Sequence, residues 1–192
     1  MTEDEMRSMA WNNALHCHGT YTVFSRRLKR LRFLTKLRDF WGFAIPIILG
    51  AIAGSNTLSL PENYVHLLKI ALAAAALVQI LIALWAVFSR WDDGLAYSAR
   101  AVRDAYEMQR AWEVIGRGQV ADIGAEFATR AKQQDVIDSH DIGQEISSKE
   151  KNLGMRSGLI EYQRQCTGCK TSPNSRGLPL FPKTKCPVCG GN

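Results

Sequence analysis

The chain has 192 residues, of which 46% are hydrophobic, and its formal net charge at pH 7 is +6. This length suits one ordinary domain, or a helical hairpin with small appended modules. The positive charge is concentrated just before the first of two very apolar segments, so the charge by itself does not indicate a nucleic-acid-binding protein.

Residues 1–39 are predicted to form an amphipathic basic helix, either broken or continuous. From Met9 to Arg38 the chain has no proline and a single glycine, and its apolar residues recur at helical spacing. The end of this stretch is strongly basic, with charges at Arg26, Arg27, Lys29, Arg30, Arg32, Lys36 and Arg38. Such charges bind anionic lipid headgroups or only fix the topology of the following span, and the two uses are compatible.

Three adjacent residues in this helix, His16, Cys17 and His18, are of the types that bind metal ions. Neighbouring residues on a helix point about 100° apart, so one helix cannot direct all three side chains at one ion. We expect a partly buried thiol between two ordinary histidines, and we assign no metal site here.

Residues 40–89 are predicted to form a transmembrane helical hairpin. The runs Phe40 to Leu60 and Ile70 to Ser89 contain no charged residue, and Pro61-Glu62-Asn63 provides a tight turn between them. About 20 apolar residues span a hydrocarbon core of roughly 30 Å. The alternative is a pair of buried helices in a soluble protein, which are also apolar on all sides.

The charges around this hairpin predict its orientation in the cell membrane. Basic residues crowd the sequence before the first span, and Arg90, Arg100 and Arg103 follow the second, whereas the loop has no Lys or Arg before Lys69. Basic residues near a span stay on the cytoplasmic side, so we expect a multi-pass protein of the inner membrane with both termini in the cytoplasm. No cleavable signal peptide is visible, and the first span is expected to direct insertion.

Four residues inside the spans are candidates for helix packing or for lining a pore. Gly50 and Gly54 form a GxxxG motif that lets helix backbones approach closely, and Pro46 is expected to bend its helix. Gln79 lies near the middle of the second span. Its amide either makes an interhelical hydrogen bond or lines an oligomeric pore.

Residues 90–163 are predicted to form cytoplasmic helices. An amphipathic helix follows the second span and stops near Gly116-Arg117-Gly118, and a short helix is expected around Ile123 and Phe127. The polar stretch from Lys132 to Asp141 is expected to be a solvated surface. A last helix, interrupted at its glycines, is outlined by Ile142, Ile146, Leu153 and Ile160.

Residues 164–192 are predicted to form a zinc ribbon. The pairs Cys166/Cys169 and Cys186/Cys189 are two CxxC turns separated by sixteen residues. Two such turns complete a tetrahedral four-thiolate shell around Zn²⁺, and cytoplasmic thiols stay reduced. Four thiolates leave no open position for a catalytic water, so the predicted cofactor is a structural Zn²⁺. A redox CxxC would need a βαβ context, which is absent from the sequence pattern.

No enzyme is predicted. The sequence contains no P-loop, no GxSxG or HExxH motif, and no pair of carboxylates that would face one another across a site. The predicted fold class is therefore an all-α membrane protein, with a two-helix transmembrane hairpin, cytoplasmic helices and a small C-terminal four-cysteine ribbon.

Several stretches of the chain follow a known layout, namely Trp11 to Thr20, Ser89 to Asp92, Lys149 to Lys151, Gly154 to Arg156 and both CxxC turns. With these residues the chain resembles the SLATT (SMODS- and SLOG-associating two-transmembrane) effector domains, and more closely the bacterial mobilome CxxCx(11)CxxC proteins. The similarity covers most of the chain, but the CxxC turns of this chain are sixteen residues apart rather than eleven. The resemblance implies a membrane effector that oligomerises and breaches the bilayer when an associated sensor, encoded nearby, is activated.

Two functions follow as hypotheses. The first is a pore-forming or membrane-disrupting effector in a defence or mobile-element conflict system, acting as a homo-oligomer. The second is a membrane-tethered adaptor whose ribbon recruits a protein or, less favoured, a nucleic acid. Lys170, Arg176, Lys183 and Lys185 could contact phosphates, but Phe181 is the single aromatic residue among them for base stacking.

Overall fold

The computed structural model describes residues 1–54, 62–175, 177 and 186–191, except for the side chains of residues 49, 52–54, 62–65 and 69. All regular secondary structure in these residues is helical, and they contain no strand. The elements are α1 (Glu3–Gly54), α2 (Glu62–Phe88), α3 (Trp91–Gly116), α4 (Ile123–Asp141), a 3₁₀ turn (Ile142–Gln144) and α5 (Ser148–Glu161). The all-helical class is confirmed, and the basic N-terminal helix is continuous.

The described chain divides into two compact units. The first, which we call the ribbon unit, comprises Met1–Arg27 and Ser98–Asn192; the second, the apolar unit, comprises Leu28–Tyr97. The predicted division into segments 1–39, 40–89, 90–163 and 164–192 stays a prediction.

The core of the ribbon unit forms around Trp112 of α3, whose side chain is fully buried. Its indole ring meets the ring of Phe127 edge-on at 5.2 Å between centroids, and its Nε1 donates to Gln134 Oε1 at 3.2 Å. Gln134 belongs to α4, which continues to Asp141 through the stretch predicted to be only a solvated surface. This polar stretch continues the helix and contributes a half-buried hydrogen-bond partner, Gln134, to the core.

The last helix also differs from the prediction. α5 runs without interruption from Ser148 to Glu161, and Gly154 and Gly158 lie inside it. A Cβ atom at Gly154 would lie 2.8 Å from the carbonyl oxygen of Gly19, and one at Gly158 would lie 2.7 Å from that of Leu15. These glycines therefore do not break α5. They let the backbone of α5 touch the backbone of α1, and this packing offsets the low helix propensity of glycine.

The beginning of α5 is held by a capping box and an ion pair. Ser147 and Glu150 exchange the two hydrogen bonds of the box. The Glu150 carboxylate also accepts two bonds from Arg27, at 2.6 Å from Nε and 2.8 Å from Nη2. Arg27 in addition donates to the carbonyl of Gln144 at 2.8 Å. One carboxylate thus caps α5 and joins it to α1.

This ion pair predicts a pH dependence of stability. Hydrogen bonds from Arg27 lower the pKa of the Glu150 carboxyl from 4.5 to about 2. A lowered folded-state pKa adds stability that is complete above the unfolded-state pKa and is lost as the pH falls from about 5 towards 2. We expect Glu150→Gln to destabilise the ribbon unit at pH 7 and to flatten its loss of stability in that range. Urea unfolding followed by protease sensitivity at pH 7, 4 and 3 would measure both effects.

Asp135→Asn, which neutralises an exposed carboxylate on α4, is the control and should leave the pH profile unchanged. Equal pH profiles for wild type and Glu150→Gln would contradict the assigned role of the ion pair.

Among the described residues of the apolar unit, one helix is long and apolar enough to cross a membrane. This stretch, His66–Phe88, has a mean hydropathy of 2.5, and 6% of its most apolar window is buried. It contains the second predicted span. The first predicted span lies in α1 as far as Gly54, and its last residues fall outside the described residues, as does Pro61 of the predicted turn. Glu62 and Asn63, the other two residues of that turn, are the first residues of α2. The two-span hairpin stays a prediction.

The four candidate residues of the spans differ in their surroundings. Gln79 Nε2 donates to the carbonyl oxygen of Arg38 at 3.0 Å, which is the interhelical hydrogen bond that was one of its two interpretations. Pro46 lies inside α1 with an exposed side chain. Among the described residues, no atom outside the local backbone of α1 and the neighbours of Gly50 lies within 4 Å of the position of a Cβ at Gly50. Gly54 is the last residue of α1. A role of these residues in a pore stays a prediction.

Candidate metal centre

The four ribbon cysteines lie together in the structure. The Sγ atoms of Cys166, Cys169, Cys186 and Cys189 are all within 4.8 Å of one another. The Cys166–Cys186 and Cys169–Cys189 sulfur pairs are 3.7 and 3.6 Å apart. A disulfide needs about 2.05 Å, whereas a tetrahedral site with Zn–S bonds of about 2.3 Å has S–S edges of about 3.8 Å. The geometry fits a four-thiolate metal site.

The two CxxC turns share the same backbone conformation. In the first, the Lys170 amide donates to the carbonyl of Cys166 at 2.8 Å; in the second, the Gly190 amide donates to that of Cys186 at 3.0 Å. The residue after each second cysteine has a positive φ, 58° at Lys170 and 79° at Gly190. Each turn therefore closes as a knuckle that directs both of its sulfur atoms to one side. Glycine adopts this conformation without strain, while Lys170 does so at some cost.

Backbone amides point at the sulfur atoms, as a thiolate site requires. Hydrogen bonds from the amides of Cys189 and Val188 lower the pKa of the Cys186 thiol. The hydroxyl of Thr171, 3.0 Å from Cys169 Sγ, lowers the pKa of that thiol to about 6. Burial instead raises the pKa of the Cys189 thiol to about 12. Cys189 is thus expected to ionise only with a cation beside it, since a coordinating thiol loses its proton to the metal.

The centre is closed to solvent on most sides. Cys166 and Cys189 are fully buried, Cys186 is buried and Cys169 is half-buried. Apolar side chains surround the sulfur atoms, namely Leu15, Met155, Leu159, Tyr162 and Val188. Because all four ligand positions are cysteines and little water reaches them, the site is suited to a structural metal and not to hydrolysis.

The two knuckles pack on helix α5. Arg156, 2% exposed, donates to the carbonyls of Ser175 and Gly191, each at 2.5 Å. When the Asn152 amide is oriented to satisfy its neighbours, its nitrogen lies 2.6 Å from the Pro187 carbonyl. Asn152 and Arg156 are four residues apart and so lie on the same face of α5. This face holds chain segments that follow the first knuckle and form the second.

The sequence profile of the Mobilome CxxCx(11)CxxC protein family matches residues 7–192. The chain belongs to this family. The match spans nearly the whole chain and includes both knuckles. No curated protein and no solved structure is significantly similar to the chain.

This Mobilome CxxCx(11)CxxC protein departs from the spacing in its family's name. Sixteen residues separate Cys169 from Cys186, rather than eleven. The two knuckles nevertheless meet, with their sulfur atoms in one cluster. Residues 176 and 178–185, which belong to this longer connection, lie outside the described residues and include three of the basic residues considered for phosphate contact. The four-ligand arrangement therefore does not depend on an eleven-residue connection.

The cluster of the four cysteines was predicted from the sequence, whereas the side chains beneath it were not. The CxxC spacing identifies candidate ligands by itself, but no sequence motif marks Arg156 as buried. The available signal was the spacing of Asn152, Arg156 and Leu159, which puts two polar residues on the same face as an apolar one.

The other group of potential metal ligands, in α1, does not form a site. The side chain of His16 is exposed, Cys17 Sγ donates to Gln134 Oε1 at 3.0 Å, and His18 Nε2 lies 3.2 Å from Ser157 Oγ. The three side chains point to different surroundings, as the helical geometry predicted.

Proposed function

We propose that this Mobilome CxxCx(11)CxxC protein is a bacterial inner-membrane effector that oligomerises and disrupts or perforates the membrane in a defence or mobile-element conflict system. The observation that carries the proposal is the exposure of α2. Val78 and Val87 are nine residues apart, hence on opposite sides of the helix, and are 54% and 73% exposed. A core helix of a soluble protein hides such side chains, whereas lipid accommodates them on every side.

The basic residues support a cytoplasmic position of both termini. Lys29, Arg30, Arg32 and Lys36 are exposed on α1 just before the apolar stretch, beside the exposed rings of Phe33 and Trp41. Basic side chains stay at the cytoplasmic surface, and aromatic rings favour the interface. With the ribbon unit in the reducing cytoplasm, its thiols remain available for metal. The proposed topology is a multi-pass one, with a second span formed by the end of α1 and the residues after it.

We also propose that the metal is Zn²⁺ with a structural role. Four thiolates in a tetrahedral arrangement select Zn²⁺ or an iron–sulfur centre, and the sulfur edges of 3.6 and 3.7 Å fit a single ion with bonds of about 2.3 Å. When bound, Zn²⁺ would supply folding free energy, because so small a ribbon has little core of its own. Cys166, Cys169, Cys186 and Cys189 would hold it.

The effector role rests on family resemblance to SLATT domains together with the exposed apolar helix. A homo-oligomer fits the open space at Gly50, since small residues permit close approach of helices from neighbouring copies. The partners proposed are the lipid bilayer, further copies of the chain and a sensor protein encoded nearby. No enzymatic activity is proposed.

The alternative is a membrane-tethered adaptor, which is favoured by one observation. The ribbon unit carries its own buried core and its own candidate metal centre. Such a unit is suited to recruiting a protein partner. Recruitment of nucleic acid is less favoured, because the described ribbon offers Lys170 for phosphate contact and no exposed aromatic side chain beside it.

Expression in bacteria separates these functions. The wild-type chain is expected to resist carbonate extraction from membranes and, on activation, to depolarise cells and admit a dye. Leu81→Arg, which places a charge on the exposed face of α2, should release it from the membrane because a charge at a span centre costs about 2.5–3.5 kcal/mol. Leu81→Ala, the matched control, should stay inserted.

Each outcome decides one part of the proposal. A membrane-embedded chain that never depolarises cells, even when co-expressed with neighbouring genes, would replace the effector with the adaptor. A wild-type chain recovered in soluble form without detergent would overturn both the membrane effector and the membrane-tethered adaptor.

A further inference from the structure

Arg156 is a buried cation that is held by neutral oxygen atoms. Its side chain lies in α5 beneath the ribbon, and the residue is 2% exposed. The guanidinium donates to the carbonyls of Ser175 and Gly191 at 2.5 Å and lies within 3.5 Å of the carbonyl of Cys189. The hydroxyl of Ser175 is a further partner at 3.4 Å. These contacts satisfy its hydrogen-bonding groups but do not neutralise its charge.

No carboxylate among the described residues lies within 4 Å of this guanidinium, although ten other ion pairs occur there. The desolvation penalty of a buried ion is several kcal/mol, and buried charges are consequently paired or bound to metal centres. A negative group of another kind is needed nearby.

The ribbon offers such a group when a metal is bound. Four thiolates around a divalent ion carry a net charge of −2, and Cys189, one of the four ligand residues, presents its own carbonyl to Arg156. We propose that Arg156 is the counter-cation of this metal centre and that its charge sets much of the affinity for the metal. The inference rests on the proposed Zn²⁺ site. Arg156 is a positioning residue in this proposal, because it contacts the backbone of a ligand residue and not the ion.

The same contacts make Arg156 a link between metal and fold. Its bonds reach the segment after the first knuckle, at Ser175, and the end of the second, at Gly191. Its helix packs on α1 through Gly154 and Gly158, on either side of it in the sequence. Loss of the metal would leave an uncompensated charge between α5 and the ribbon, so metal release is expected to loosen the packing of the ribbon on α5.

Two substitutions separate charge from hydrogen bonding. Arg156→Gln keeps a donor for the carbonyls but is neutral, whereas Arg156→Lys keeps the charge and loses the planar fork. Lys149→Met, which removes an exposed positive charge from the same helix, is the control. Each full-length chain in detergent is titrated with Co²⁺, and Zn²⁺ affinity is measured by competition with a chromophoric chelator. Hydrogen exchange of α5 is followed with and without metal.

We expect Arg156→Gln to lose about 10–100-fold in Zn²⁺ affinity, the usual loss for residues that support metal ligands. The Zn²⁺ affinity of Arg156→Lys should stay within a few-fold of the wild-type affinity. The Zn²⁺ affinity of Lys149→Met should equal that of wild type. Metal should also protect α5 from exchange less in Arg156→Gln than in wild type. Should both Arg156 variants unfold when metal-free, the rates at which loaded chains lose metal to excess chelator give the same ranking.

Equal affinities for wild type and Arg156→Gln, or equal losses for Gln and Lys, would overturn the counter-cation role and leave Arg156 as a hydrogen-bonded brace. A wild-type chain without a tetrahedral Co²⁺ spectrum would instead overturn the proposed metal site itself. The two failures are therefore distinguishable.

Discussion

Cys186→Ser is expected to abolish the proposed metal binding and to unfold the C-terminal ribbon, while leaving the proposed membrane insertion unchanged. The buried Cys186 is one of four sulfur atoms within 4.8 Å, and a hydroxyl is a poor ligand beside three thiolates. Structural Zn²⁺ contributes about 10–16 kcal/mol to the folding of small zinc domains, which exceeds anything the ribbon gains from its apolar contacts. Limited proteolysis should cleave the variant rapidly after residue 162.

Cys17→Ser is the matched control. Cys17 is also buried, but its sulfur donates to Gln134 and lies outside the cluster. A serine can keep that hydrogen bond, so Cys17→Ser should bind metal like wild type. Chelation of the wild type should reproduce the protease sensitivity of Cys186→Ser. A ribbon of Cys186→Ser that resists protease as well as wild type would contradict a metal-dependent fold.

Gly158→Val is expected to disrupt the packing of α5 on α1. A Cβ at this position would lie 2.7 Å from the carbonyl oxygen of Leu15 and 3.0 Å from its Cδ2. Backbone of a long helix cannot move aside as a flexible side chain does, so the helices must separate. Overpacking of this kind costs about 1–3 kcal/mol or more, a large share of the stability of a small unit. Urea unfolding of the ribbon unit would measure the loss.

The effect should reach the metal centre. Leu15 packs against Cys166, Cys186 and Cys189 in one cluster with Leu159, so displacing it opens the sulfur shell to water. We expect Gly158→Val to bind Zn²⁺ more weakly than wild type. Gly124→Ala, at an exposed glycine in α4, is the control and should be neutral or slightly stabilising, because alanine favours a helix by about 0.8–1.0 kcal/mol over glycine. A Gly158→Val chain as stable as Gly124→Ala would show that the helices do not meet at this glycine.

Features that depend on short stretches of the chain were predictable. A CxxC turn brings its two sulfur atoms to one side, so the four ligands and their common site follow from the spacing. The end of α3 near Gly116 and the apolar character of the stretch ending at Phe88 were equally predictable, because both depend on local composition and periodicity.

Features that depend on contacts between distant parts of the chain could not be predicted from the sequence. Gly154 and Gly158 were expected to interrupt the last helix, yet they lie inside α5 and make tight backbone contacts with Gly19 and Leu15 of α1. A glycine has the same local sequence pattern whether or not its helix face meets another helix. The same holds for the polar end of α4, whose Gln134 is tied to Trp112.

The sequence by itself determined the helical class, the cluster of four cysteines that could bind a metal and a helix apolar enough for a membrane, because each depends on short local patterns in the chain. The tertiary structure alone decided that Arg156 lies buried under the ribbon and that Glu150 pairs with Arg27, more than a hundred residues away. Burial and pairing of a charge depend on what the fold places around it, and an arginine on a helix has the same local signature whether it faces water or a metal centre.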